Sequence, residues 1–295
     1  MPILKVHNLT KTFSSGCWPF SSVQQYTAVN GISFALEDGE ILGFLGPNGA
    51  GKTTTIQMLL GTLTPTSGSI SYFGKELAHH RTEILQTVSY ASGYDALPSR
   101  LTVFENLDIV GRIYGMTKTE RVERIDHLLK VFGMWNMRFK ETGTLSAGQA
   151  TRIMLIKAFL GNPRIVLLDE PTASLDPDIA HEVRQFILEQ NKTSKVSILL
   201  TSHNMDEVTE ICDRVLVLKN GTIIADDTPK KLADSIASAR VHLMISGGLS
   251  VFLTYLQERS LEYVVQEHEI VIDVHEHHIA QFLTDLAEKK IAYLI

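Results

Sequence analysis

The run Gly46-Pro47-Asn48-Gly49-Ala50-Gly51-Lys52-Thr53 constrains this chain more than any other stretch. It fits the spacing GxxxxGK[ST], and its setting supports the match. Ile41 to Leu45 before it is a short apolar run of the buried-strand kind, and a helix is expected after it from about Thr53, through Thr54, to Leu60. A glycine-rich turn between a buried strand and a helix lets backbone N–H groups face phosphate oxygens. The helix presents the positive end of its dipole to the same place. In that reading Lys52 reaches the β- and γ-phosphates of a nucleotide, and the Thr53 hydroxyl ligates Mg²⁺. The guanine-reading pattern NKxD does not appear, since Asn191-Lys192 continues as Thr193-Ser194, so GTP is disfavoured.

A second apolar run, Ile165 to Leu168, ends in Asp169 and Glu170. When such a strand is buried, its C-terminal edge is the part that can reach a ligand. Asp169 is then placed to hold Mg²⁺ through its water shell, and Glu170 to polarise an attacking water as general base. Alone, two carboxylates after a core strand read as a solvated acidic turn. Beside the phosphate loop the catalytic reading prevails.

Strands alternating with helices imply an α/β chain whose mainly parallel sheet is covered on both faces. Ile3–Leu9 and Ala28–Leu36 read as strands with a loop, Ser14–Gln25, between them. Val103–Phe132 reads as a mainly helical insertion. Val196–Thr201 and Val215–Leu218 read as further strands, and Asn220-Gly221 as a hairpin turn before Ile223–Ala225. The pattern changes near Ser235–Ala239, which divides residues 1–234 from a small second domain, residues 235–295. There the order is strand (Arg240–Ile245), helix (Leu249–Glu258), strand (Tyr263–Glu267), strand (Ile270–Val274), helix (His277–Lys290) and strand (Ala292–Ile295), the α+β ferredoxin-like arrangement. A chain of 295 residues has room for one large core and a smaller one.

At this point the residues resemble those of the ATP-binding cassette (ABC) ATPases. Leu145-Ser146-Ala147-Gly148-Gln149 is similar to the LSGGQ signature, with Ala147 in place of one glycine, and Arg152 matches the basic residue that follows it. Asp169-Glu170-Pro171-Thr172-Ala173-Ser174-Leu175-Asp176 resembles the acid pair running into the D-loop, and His203 stands at the switch-histidine position. The likeness spans about Ile3 to Leu232. It implies a P-loop NTPase fold, a RecA-like core with a helical subdomain and an antiparallel β subdomain. It also implies ATP hydrolysis with Mg²⁺ by a head-to-tail dimer; pairing with a different cassette stays open, and two identical copies are favoured because every catalytic motif but the Gly93 position is complete. Each ATP would lie between the Gly46–Thr53 loop of one copy and Ser146–Gln149 of the other, with Asp176 nearby. Closure favoured by ATP and not by ADP would couple hydrolysis to opening. His203 would contact the γ-phosphate. An aromatic residue would stack on adenine, Phe13 in Lys11-Thr12-Phe13 being the first choice and Tyr26 the alternative, with one of the two packing in the sheet.

The chain departs from the family in two places. The family's glutamine after a strand of the type IGYxPQ is expected where Val88-Ser89-Tyr90-Ala91-Ser92-Gly93 ends, so Gly93 takes its position and no metal-ligand role is assigned there. The Ser14–Gln25 loop is also longer than usual. The segment Tyr94–Asn106 is expected to face a membrane partner, by resemblance. Four histidines near the C-terminus, His268, His275, His277 and His278, lack a joining cysteine and fixed ligand geometry. They read as solvated residues of a strand-to-helix turn.

Composition narrows the function classes. Hydrophobic residues make up 44% and charged residues 20%, as in ordinary soluble proteins. A net charge of -6 argues against a nucleic-acid binder. Cys17 and Cys212 have no metal or disulfide spacing. No stretch reaches the roughly 18 apolar residues of a spanning helix, and the start lacks a signal-peptide pattern. The chain is therefore expected in the cytoplasm, held at the inner face of the membrane by integral permease subunits. The chain resembles exporter-type subunits in its single cassette, the stretches ALPSRLTVFENL and LSAGQATR, and the C-terminal appendage. That appendage would regulate the ATPase or aid dimerisation. An importer subunit, a soluble ABC protein acting on ribosomes or DNA, and a non-hydrolysing regulatory module are the competing readings.

Overall fold

The computed structural model describes residues 2–15, 24–92, 97–173 and 175–236. Beyond these it describes residues 238–247, 249–259, 261, 263–265, 270–275, 281–282, 284–286, 289 and 291–294. The chain divides into two compact units, Met1–Pro229 and Lys230–Ile295.

The first unit holds two sheets. One is antiparallel, with strands β1 (Leu4–Ser15), β2 (Gln24–Leu36), β4 (Ser67–Tyr72) and β5 (Lys75–Glu76) in the order β2-β1-β4-β5. The β1–β2 pair runs from Leu4 opposite Leu36 as far as Ser15 opposite Gln24. Residues 14, 15, 24 and 25, read from the sequence as loop, are therefore strand. Their polar side chains gave no alternating pattern, because hydrogen bonds between neighbouring strands, rather than burial, extend this ribbon. Facing hydroxyls of Thr12 and Thr27 meet at 3.1 Å. Residues 16–23 lie outside the described residues.

The second sheet has β3 (Ile41–Leu45), β6 (Val88–Ser92), β7 (Ile165–Asp169), β8 (Ser197–Ser202), β9 (Arg214–Lys219) and β10 (Thr222–Asp227) in the order β10-β9-β3-β8-β7-β6. Its strands are parallel except β10, which returns beside β9 through Asn220-Gly221, both with positive φ as a tight hairpin turn requires. The central strands are apolar throughout because both faces of such a sheet are covered. One core joins the two sheets, with Phe34 of β2 edge-on to Phe44 of β3 at 5.0 Å.

Helix α1 (Lys52–Leu59) follows β3 directly, and α2 (Leu77–Leu85) follows β5. The helical insertion consists of α3 (Val103–Ile113) and α4 (Lys118–Val131), which pack with α5 (Ala147–Leu160). Each of the three starts with a capping box, Thr102 with Glu105, Thr117 with Glu120 and Ser146 with Gln149, which satisfies N–H groups the helix itself cannot. Helix α6 (Pro177–Ser194) leads to β8, and α7 (Met205–Ile211) leads from β8 to β9.

Helix α8 (Pro229–Ile236) starts at the last residue of the first unit, and the second unit continues with β11 (Ser238–Gly247), α9 (Leu249–Glu258), β12 (Tyr263–Val265), β13 (Ile270–His275) and β14 (Ala292–Leu294). The sheet order β12-β13-β11-β14, antiparallel throughout, is that of the ferredoxin-like fold. Its core gathers Leu243, Phe252, Leu256, Ile272, Phe282 and Leu286. Of the four histidines near the C-terminus, His268, His277 and His278 lie outside the described residues.

Candidate functional site

The loop between β3 and α1 is shaped by contacts that only glycine permits. A Cβ on Gly46 would stand 2.4 Å from the Leu218 carbonyl oxygen, and one on Gly51 2.5 Å from that of Ala28. Gly51 also has a φ of 101° and Gly49 one of 80°. Among the described residues no acceptor receives the backbone N–H groups of Gly49, Gly51, Lys52, Thr53 or Thr54. They are free donors at the start of a helix, the arrangement that binds phosphate. They border a cavity of about 180 Å³ lined also by Asn48, Ala50, Phe13, Tyr26 and Glu170.

Lys52 is buried and points back along the loop. Its Nζ donates to the Gly46 carbonyl at 2.6 Å and to the Pro47 carbonyl at 3.3 Å, and lies 3.6 Å from Glu170 Oε1. The carbonyls of Gly46 and Pro47 thus hold the cation of a residue that lines the cavity.

Asp169 ends β7 and Glu170 turns off it with a φ of 51°, a strained conformation for a residue with a side chain. Thr201 on the neighbouring β8 stabilises that turn. It stands opposite Asp169 in the parallel register, its hydroxyl donates to Asp169 Oδ1 at 2.5 Å, and it accepts from the Glu170 N–H at 3.0 Å. Sequence reasoning missed Thr201, because a threonine in a β-branched run reads as a strand former. Glu170 Oε2 lies 3.2 Å from His203 Nδ1. A carboxylate can only accept, so Nδ1 donates and Nε2 of this half-exposed ring is left for another partner. The structure therefore brings Lys52 and His203 to the two oxygens of Glu170, which lines this cavity with Lys52 and an adjoining one with His203, while Asp169 precedes it at the end of β7.

Phe13 and Tyr26 are opposite one another across β1 and β2, and both line the cavity. Phe13 is 41% exposed and Tyr26 59%. The expectation that one of them packs in the sheet is corrected: residues opposite in an antiparallel pair share a face, and this face is the open one.

Ser146 to Gln149 do not line this cavity. They form the start of α5, where Ser146 Oγ accepts from the Gln149 N–H at 3.3 Å and Gln149 Oε1 from the Ser146 N–H at 3.1 Å. The N–H groups of Ala147 and Gly148 have no acceptor among the described residues. Asp176 is the N-cap of α6, and its exposed carboxylate makes no capping bond. Gly93, with Tyr94 to Ala96, lies outside the described residues.

The family model described as "ABC transporter" matches residues 29–173. A curated relative, the Nod factor export ATP-binding protein I of Burkholderia lata, is 39% identical over 210 residues, covering 70% of this chain and 68% of its own. The linearmycin resistance ATP-binding protein LnrL of Bacillus subtilis is 33% identical over 274 residues, 91% of this chain and 87% of its own.

This chain belongs to the ABC transporter ATP-binding family. Among solved structures, an ATP-binding subunit of an ABC transporter superposes with a TM-score of 0.69 at 26% identity, covering 86% of this cassette chain and 99% of its own. The cbiO1 protein of Clostridium perfringens, part of the ABC transporter complex cbiONQ, superposes with a TM-score of 0.66 at 29% identity, over 78% and 90%. A second family model, an AAA domain described as a putative AbiEii toxin of a type IV toxin–antitoxin system, matches residues 143–209 of the cassette, the stretch from the signature past His203. The cassette is an ATP-binding ATPase subunit of the ABC type, built on the P-loop fold.

Proposed function

We propose that this ATPase drives export through separately made integral membrane subunits, working as a nucleotide-dependent head-to-tail homodimer. The observation that carries the dimer is the separation just described. The cavity has phosphate donors and a carboxylate bonded to His203, while Ala147 and Gly148, with their free N–H groups, do not line it. A second copy could bring its Ser146–Gln149 start of α5 to the γ-phosphate side, adding anion donors that a single chain lacks. Export is supported by the names of the two curated relatives, one an export protein and one a resistance protein. Among the described residues no helix is long and apolar enough to cross a membrane, so contact with the membrane would come through partners.

The residues fit a nucleotide and Mg²⁺. The free N–H groups from Gly49 to Thr54 and the Lys52 ammonium suit phosphates. The Thr53 hydroxyl and the Asp169 carboxylate are the oxygen donors that a hard cation takes. Bound there, Mg²⁺ would neutralise charge on the β- and γ-phosphates. Glu170 acts as general base on the attacking water, and its bond to His203 orients the imidazole; because Nδ1 already carries a proton, only the imidazolium form donates from Nε2 to the γ-phosphate. Phe13 or Tyr26 stacks on the adenine.

Light scattering during size exclusion of Glu170→Gln tests the reading. The variant should bind ATP, hydrolyse it very slowly and run as a dimer with ATP–Mg²⁺ and a monomer with ADP. A monomer in both conditions, with ATP bound, would overturn the homodimer.

A further inference from the structure

One buried carboxylate takes no part in the site described above. Glu207 stands on α7, is 5% exposed and forms no ion pair among the described residues. A buried charge persists only where hydrogen bonds satisfy it, and here two do. Oε1 accepts from the Thr172 hydroxyl at 2.6 Å and Oε2 from the Ser202 hydroxyl at 2.6 Å. Each hydroxyl has one proton, so both are committed to this carboxylate.

The two donors belong to different segments. Thr172 is two residues past Glu170, on the way to Asp176. Ser202 ends β8 immediately before His203 and is bonded to the residue after it, since its Oγ accepts from the Asn204 N–H at 2.9 Å. Asn204 in turn caps α7, accepting from the Asp206 N–H at 2.8 Å. Glu207, Thr172 and Ser202 line a cavity of about 400 Å³ together with Glu170 and His203.

We infer that Glu207 is a positioning residue for hydrolysis. By bonding Thr172 and Ser202 at once, it ties the chain leaving Glu170 to the turn that carries His203, and so sets how His203 meets Glu170. This rests on the roles proposed above for Glu170 and His203.

Steady-state ATPase kinetics, normalised to ATP-binding sites, test it on Glu207→Ala, Glu207→Gln and Thr172→Val, with Glu170→Gln as control. Glu207→Ala and Thr172→Val should lower kcat about tenfold to a hundredfold, with KM for ATP changed by less than about twofold, because misplacing a catalytic group costs rate rather than binding. Glu207→Gln keeps one accepting oxygen and should recover part of the loss. A purely structural Glu207 would lower melting temperature and the number of binding sites but leave kcat per site unchanged, which would overturn the inference. If Glu207→Ala does not fold, Thr172→Val decides, since it leaves the charge and its Ser202 bond in place. A Glu170→Gln control with wild-type kcat would instead overturn the base assignment.

Discussion

Phe13 and Tyr26 face the same cavity from opposite strands, and Lys11 Nζ lies 5.3 Å from the Phe13 ring centroid, held there by its bond to the Thr64 carbonyl at 2.7 Å. A cation over one face of the Phe13 ring leaves the other face for a base. Phe13→Ala should weaken ATP binding about tenfold, in the range of base–aromatic stacking, and Tyr26→Ala less. Titration with a fluorescent ATP analogue measures both, and the reverse ranking would assign the adenine to Tyr26.

The bond from His203 to Glu170 gives a second expectation. His203→Ala should lower kcat about a hundredfold to a thousandfold, as removal of a transition-state donor does, while ATP affinity stays near that of the wild type. Single-turnover hydrolysis beside equilibrium binding separates the two quantities.

The phosphate loop predicts a graded cost for added methyl groups. Gly51→Ala combines positive φ with a 2.5 Å approach to the Ala28 carbonyl and should lose about 3 kcal/mol of stability. Gly49→Ala meets nothing within 4 Å and carries only the positive-φ cost, about 1 kcal/mol. Thermal melting of the two variants against wild type checks the difference.

In the C-terminal unit, Tyr255 donates to Asp285 Oδ2 at 2.8 Å. Burial, and then the bond and charge of Asp285, push the Tyr255 hydroxyl up to about 12. The bond from Gln281, then that from Tyr255, hold Asp285 below its ordinary 3.8. The Tyr255 contribution to stability is full below its ordinary 10.0 and is lost as pH rises through the raised value. The Asp285 contribution is present above 3.8 and is lost as pH falls through the lowered value. Calorimetry of the full chain at acid, neutral and alkaline pH should show that Tyr255→Phe flattens the alkaline limb and Asp285→Asn the acid limb.

Much of this is legible in the sequence. The phosphate loop, the acid pair and the βαββαβ order of the second unit are written in short contiguous spacings, where a glycine, a lysine or a carboxylate at the end of an apolar run has few other uses. The ribbon of Ser14, Ser15, Gln24 and Gln25 was not legible, because polar residues paired only through the backbone leave no hydrophobic period. Helix α2 was also missed. Its Leu77 and Ile84 are its only buried residues, and its backbone leaves helical geometry at His80, so no apolar stripe marks it.

What the sequence determined by itself is the set of groups on which the proposed chemistry draws: a glycine-rich loop at Gly46–Thr53, paired carboxylates at Asp169 and Glu170, and a histidine at His203. The tertiary structure alone decided how these meet. The parallel register of β7 with β8 sets Thr201 opposite Asp169, the antiparallel register of β1 with β2 turns Phe13 and Tyr26 to one cavity, and α7 folds Glu207 between Thr172 and Ser202. Local spacing can specify a loop or a strand end, because those geometries depend on neighbouring residues. Contacts between residues dozens of positions apart depend on which strands lie side by side, and only the packed core settles that.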